Sequence, residues 1–195
     1  MKNGKALGVV VAVLCLLLVG SSSSLAGGEK KKSSRSVDYI QATAMGTSTQ
    51  AGQMVNVTII IYEYSTPDDQ KALLGAFQEG GQEGLTNALS KMSAKGRIAV
   101  SGTLGYDLNY IRQWPTADGR KIRFVTDRPI TFGEAWSQSR SMEYNLSGGE
   151  IELSKDKKKS TGTLMPACKF NIDKENQLQI ELLQNPWRLV NIYED

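Results

Sequence analysis

The sequence predicts an α+β protein that is predominantly antiparallel β: a curled sheet or barrel-like meander with an inserted pair of short helices. Three observations predict it. Residues 55–62 are almost all β-branched or aromatic, a composition suited to a pleated, half-buried surface. The stretch that follows, to Met92, carries apolar residues at helical spacing. Beyond Met92 the apolar period becomes two, with turn residues recurring about every ten positions, as in a meander of short strands. A flat open sheet of this size would bury one face and expose its edges, so it is expected to curl strongly or close.

Taken in order, the chain starts with a leader over residues 1–26. Lys2 and Lys5 precede an apolar run over 6–19, and Ser24-Leu25-Ala26 forms a small-x-small cleavage site. The run is short for a membrane span and lacks a positive stop-transfer cluster, so no stable span is expected after cleavage. Leu14 precedes Cys15 where lipid attachment asks for a small residue, which argues against a lipid anchor. Residues 27–37 form a polar basic linker expected to be disordered, and 38–195 a single α+β domain, long enough for a real core.

Within that domain, residues 39–45 form a first strand, and a Gly-, Thr-, Ser- and Gln-rich turn leads into the strand over 55–62. Thr66 is placed to cap a helix, Pro67 suits its first position, and Asp68 and Asp69 face the positive end of its dipole. Leu73, Leu74 and Phe77 form one stripe; Gly80-Gly81 interrupts it; Leu85, Ala88, Leu89 and Met92 form a second. Two short helices with a kink or tight turn between them, ending at Gly96, are therefore expected.

A short strand over 98–100 precedes an alternating run in which Tyr106, Leu108, Tyr110, Arg112 and Trp114 share one face. Pro115-Thr116-Ala117-Asp118-Gly119 is turn chemistry, and Ile122 and Phe124 return on one face of the partner strand, with Arg123 and Val125 on the other. Residues 130–140 are ambiguous: Phe132, Ala135 and Trp136 suit a single helical turn, but Gly133 and the short length argue against it. Met142, Tyr144 and Leu146 alternate again, Gly148-Gly149 marks a bulge or bend, and residues 155–159 form a charged loop tip. Leu164, Cys168, Phe170 and Ile172 line the return, a turn follows at 173–176, and strands over 178–182 and 187–193 complete the chain.

Two segments, Gly105-Tyr106-Asp107-Leu108 and Val125-Thr126-Asp127-Arg128-Pro129-Ile130, together with Glu134-Ala135, resemble a family of small exported bacterial proteins without an assigned activity. The resemblance covers most of the chain from about Ala42 onward. It implies a bacterial envelope or secreted setting and brings no catalytic or binding residue.

Composition excludes several chemistries. There is no histidine, which removes Ser-His-Asp and Cys-His catalysis and His-containing zinc sites. Once the leader is gone only Cys168 remains, so neither an internal disulfide nor a thiolate metal cluster can form. No metal and no cofactor is expected. Of 23 bases and 20 acids, the leader holds two lysines and the linker four bases and Glu29, leaving 17 bases against 19 acids in the domain. A nucleic-acid binder needs a basic face on its folded part, so nucleic acid is not an expected partner.

Carboxylates are the remaining acid/base groups in quantity. Asp107, Asp127, Glu134, Glu143, Glu150 and Glu152 could supply a glycosidase pair roughly 5 to 10 Å apart, but Glu143, Glu150 and Glu152 fall opposite the apolar residues and face solvent. Ser154-Lys155 and Ser90-Lys91 are neighbours rather than a nucleophile–base pair; strand neighbours point to opposite faces. Asp127-Arg128-Pro129 is the densest polar signal. Arg128 could hold an anionic group at a pocket mouth; alternatively Asp127 caps a turn and Arg128 pairs with a carboxylate. Tyr106, Tyr110, Trp114 and Tyr144 either line a ligand cavity or pack in the core. Lysines over 155–159 either meet an anionic lipid surface or are solvated. Asn56-Val57-Thr58 and Asn145-Leu146-Ser147 match the glycosylation pattern, which carries little weight in a bacterial host.

The expected function is a non-catalytic protein, periplasmic or extracellular, binding an unknown protein partner or an apolar ligand. The alternative is a hydrolase using paired carboxylates.

Overall fold

The computed structural model describes residues 38–131, 144–172, 178–183 and 185–195. The leader, the basic linker, the helical turn at Phe132, Ala135 and Trp136, the carboxylates Glu134 and Glu143, Met142 and the turn at 173–176 lie outside the described residues.

The first strand, β1 (Asp38–Met45), pairs along its whole length with β2 (Met54–Ile61), forming the expected hairpin. Helix α1 (Pro67–Lys91) follows. Its start is a capping box: the Thr66 hydroxyl accepts from the Asp69 N–H at 3.1 Å, and the Asp69 carboxylate accepts from the Thr66 N–H at 2.7 Å. The two short helices expected run as one helical element with a kink inside it. Its backbone leaves helical geometry only at Gly81, with φ 56° and ψ −143°, a conformation open to glycine and costly for other residues. Gly81 therefore supplies the kink that the sequence places between the two stripes.

Then come β3 (Gly96–Val100), β4 (Tyr106–Leu108), β5 (Tyr110–Thr116), β6 (Gly119–Thr126), β7 (Leu146–Ser154), β8 (Thr161–Ile172), β9 (Leu178–Leu182) and β10 (Trp187–Glu194). All pair antiparallel in one sheet, in the order β4-β3-β2-β1-β10-β8-β7-β6-β5, with β9 added to β8. The two outer members of that order, β4 and β5, are separated by Asn109 alone. One continuous segment thus supplies both edges, and the sheet curls into a nearly closed barrel. Asn109 is the corner: it is buried, its N–H donates to Val125 O on β6, and its side-chain oxygen accepts from the Asp127 N–H.

That corner corrects the expected alternation. The run from Tyr106 to Trp114 does not keep one phase. Leu108 points inward, and after Asn109 it is Ile111 that is fully buried, while Tyr110, Arg112 and Trp114 are only partly so. The β5–β6 hairpin is as expected, with Thr116 paired to Gly119 across the turn and Ile122 and Phe124 in the core.

The barrel interior is filled by Ile40, Ile59, Ile98, Ile122, Phe124 and Trp187, among others, each at most 1 % exposed. Close packing extends to the backbone: a Cβ on Gly149 would run into the Phe124 ring. A second apolar layer lies between α1 and the outer face of the sheet. Leu73 and Leu89 meet Leu146 and Cys168 there, with Val125 and Phe170 alongside. Leu85 and Ala88 of the second expected stripe join it, while Phe77 is half-buried outside this cluster.

Candidate functional site

Beyond the reach of the helix, no described residue covers the outer face of β7, β8 and β10. The register sets Arg123, Glu150, Thr163, Arg188 and Met45 in one row across β6, β7, β8, β10 and β1, and Lys121, Glu152 and Thr161 in the next. Alternation sends Ile151, Leu164 and Leu189 into the core and these residues outward. Threonines on β8 are short, and the side chains on either flank are long. A groove of about 690 Å³ results, floored by Thr161 and Thr163 and walled by Glu150 and Glu152 on one side and Arg188 on the other. Lys158 and Ser160 close one end, and Pro186 and Trp187 the other, where the Thr47 hydroxyl donates to Pro186 O at 2.6 Å.

The acidic wall of the groove is ion-paired. Lys121 Nζ lies 2.8 Å from Glu150 and 3.7 Å from Glu152, and the Arg123 guanidinium also donates to Glu150. Arg123 in turn lies over the Trp114 ring, 4.9 Å from its centroid. Burial pushes the Glu150 carboxyl up, but the hydrogen bonds and charges of Lys121 and Arg123 outweigh it and hold the group below the usual carboxylate range. The hydrogen bond to Glu150 raises Lys121 in return. A carboxyl held low is a poor proton donor. Asp69, through its bond from the Thr66 N–H, and Glu181, through its bond from Tyr144, are also held low.

The other sequence-predicted residues do not converge. Arg128 pairs with its own neighbour Asp127 at 2.9 Å and is mostly exposed, which is the pairing alternative rather than an anion pocket. Asp107 is exposed on β4 opposite Arg97. The four aromatics disperse. The Tyr106 hydroxyl sits 2.7 Å from that of Thr131, Tyr110 packs in the layer under the helix, Trp114 stacks outside, and Tyr144 donates to Glu181 at 2.5 Å. The Ser90 hydroxyl donates to Asn87 O, and the Ser154 hydroxyl accepts from the Asp156 N–H. Residues Lys157–Lys159 form an exposed 3₁₀ turn whose middle lysine lines the groove.

Cys168 is fully buried, as expected, yet not on the expected face. Leu164 belongs to the barrel interior and Cys168 to the layer under the helix. The pairings Gly148 to Met165 and Leu146 to Cys168 place one extra residue on β8, and such a bulge reverses the inward and outward sets.

Sequence reasoning missed one polar cluster altogether. Arg120 lies 3.2 Å from Asp38, binds Glu194, and donates to the Tyr64 hydroxyl at 3.1 Å and to Gln113 at 2.7 Å. Burial, then the hydrogen bond to Asp38, pushes the Tyr64 hydroxyl well above its ordinary range. The cluster ties the ends of β1, β6 and β10 together. No local signal could reveal it, since its members come from separate strands.

Among the described residues no group of three or more Asp, Glu, Cys or His is arranged to hold a metal ion, and no helix is long and apolar enough to cross a membrane. Comparison with protein-family models, curated proteins and solved structures finds no match.

Proposed function

We propose that this chain is an exported, non-catalytic binding domain of a bacterial envelope or secreted protein, and that its working surface is the outer groove over β7, β8 and β10. One observation carries the reading: where the barrel has room. Inside, isoleucines, Phe124 and Trp187 occupy the space that an apolar ligand would need. Outside, about 690 Å³ is free between charged walls over a threonine floor, within the usual size of a small-molecule site. The ligand or partner group it takes is accordingly polar. Export rests on the leader and its small-x-small cleavage site.

Thr163→Trp fills the groove from its floor at an exposed position and should leave the fold intact. A library of small polar compounds, screened by thermal shift, is expected to contain stabilisers of the natural protein that no longer stabilise the tryptophan variant. Compounds that act equally on both proteins, or none that act on either, would remove the groove from the account.

A further inference from the structure

The groove has a sign. Its acidic wall is already neutralised, since the two carboxylates of Glu150 and Glu152 face the two cations Lys121 and Arg123. Across the floor the balance differs. Arg188 and Lys158 line the groove, and no described carboxylate forms an ion pair with either. The lysines flanking Lys158 are engaged elsewhere: Lys157 Nζ donates to Glu194 O at 3.3 Å, and Lys159 lies 3.8 Å from Asp156. The Asp156 side chain also accepts from the Lys158 N–H at 3.2 Å, which fixes the turn carrying it. Among the described residues, two cations without a carboxylate partner thus remain beside a floor of two threonine hydroxyls.

Building on the groove as the working surface, we infer that it is an oxyanion site. The phosphate group of a polar ligand is held by Arg188 and Lys158, with Thr161 and Thr163 as hydroxyl donors. A guanidinium binds phosphate in a two-bond fork, and an ammonium adds a mobile point charge. These donors come from three elements, β10, β8 and the 3₁₀ turn. That spread suits a tetrahedral oxyanion better than a planar carboxylate. The groove is far roomier than one phosphate needs, so the group is carried on a larger body. That body is either a free phosphorylated small molecule or a lipid headgroup.

The test uses the mature protein at low ionic strength, where such contacts are least screened. Calorimetric titration with glycerol 3-phosphate probes the free form, and co-sedimentation with phosphatidylglycerol vesicles against phosphatidylcholine vesicles probes the headgroup. Each of Arg188→Gln and Lys158→Gln should weaken binding about tenfold or more, as expected for a lost charge-assisted bond. The double variant should abolish it. Lys71→Gln, the same charge change on the exposed helix surface, should leave it within about twofold. Titration by glycerol 3-phosphate assigns the free ligand; retention on phosphatidylglycerol vesicles alone, lost in the double variant, assigns the headgroup. Absence of binding to both probes, or binding that the double variant retains, overturns the inference. If neutral compounds still stabilise the natural protein and not Thr163→Trp, the groove reading survives that failure; if none does, both fall together.

Discussion

Along the same two strands, β7 and β8, the outer face is covered at one end and bare at the other. At the covered end Leu146 and Cys168 lie under Leu73 and Leu89 of α1. At the bare end Glu150, Thr161 and Thr163 face the groove. Beneath the bare end, Ile151, Leu153 and Leu164 belong to the barrel core. The boundary falls at the bulge opposite Leu146 and Gly148, where β8 gains one residue. The difference teaches how this sheet divides its labour. Apolar burial at the covered end contributes stability, whereas the bare end leaves charge available for binding.

The strongest way to break this comparison is to empty the covered end. Leu89→Ala removes a side chain 1 % exposed and should cost about 2 to 5 kcal/mol, as other buried large-to-small changes do. Leu73→Ala should fall in the same range. Thr163→Ala, on the same outer face but in the groove, should stay within about 0.5 kcal/mol. Urea denaturation of the three variants checks the contrast; equal losses at Leu89 and Thr163 would mean that the bare end is core as well.

Cys168 sharpens it next. Burial pushes its thiol up to about 12, so alkylation of the native protein near neutral pH should wait for unfolding. Cys168→Ser should cost about 1 to 3 kcal/mol more than Cys168→Ala if the hydroxyl finds no partner under the helix. Rapid labelling of the native protein would instead place Cys168 on the bare side of the boundary.

A smaller effect is expected where the covering helix begins. Thr66→Ala removes the acceptor for the Asp69 N–H and should cost about 1 kcal/mol. Thermal unfolding measures it. No loss at all would show that the helix is held by its apolar face alone.

Much of the covered architecture is legible in the sequence. Thr66-Pro67-Asp68-Asp69 announces the helix start, and the Pro115–Gly119 turn announces the β5–β6 hairpin, because both depend on contacts between near neighbours. The phase reversals at Asn109 and before Cys168 are not legible. Alternation distinguishes two faces only when one is polar, and here both faces of the affected strands meet apolar layers. Leu164 and Cys168 share a parity in sequence, yet the bulge between them separates them in space. The groove was hidden for a different reason. Thr161 and Thr163 are unremarkable on a strand, and Arg188 lies across the sheet from Glu150, brought near only by the β7-β8-β10 order. Glu150 and Glu152 did read correctly as outward-facing.

The smallest expected effect tests the neutralised wall itself. Glu150 is held below the usual carboxylate range by Lys121 and Arg123 against the opposing pull of burial. Its folded-state value is therefore depressed relative to the unfolded chain. Such a group contributes stability above the ordinary carboxylate range, and that contribution is lost as pH falls through its folded-state value. Its side chain is 31 % exposed, so solvent screens the pair and Glu150→Gln should cost under about 1 kcal/mol near neutral pH. The gap between the natural protein and the variant, read from urea midpoints, should narrow as pH falls below the ordinary carboxylate range and close once the natural glutamate is itself protonated. A gap that persists in acid would mean that Glu150 acts through packing. The same substitution also probes the bare end. It frees Lys121 and Arg123 from their shared acid and makes the groove more positive, so binding of glycerol 3-phosphate should tighten while stability falls. At Leu89 on the covered end no such opposition exists, because truncation there removes apolar contact alone.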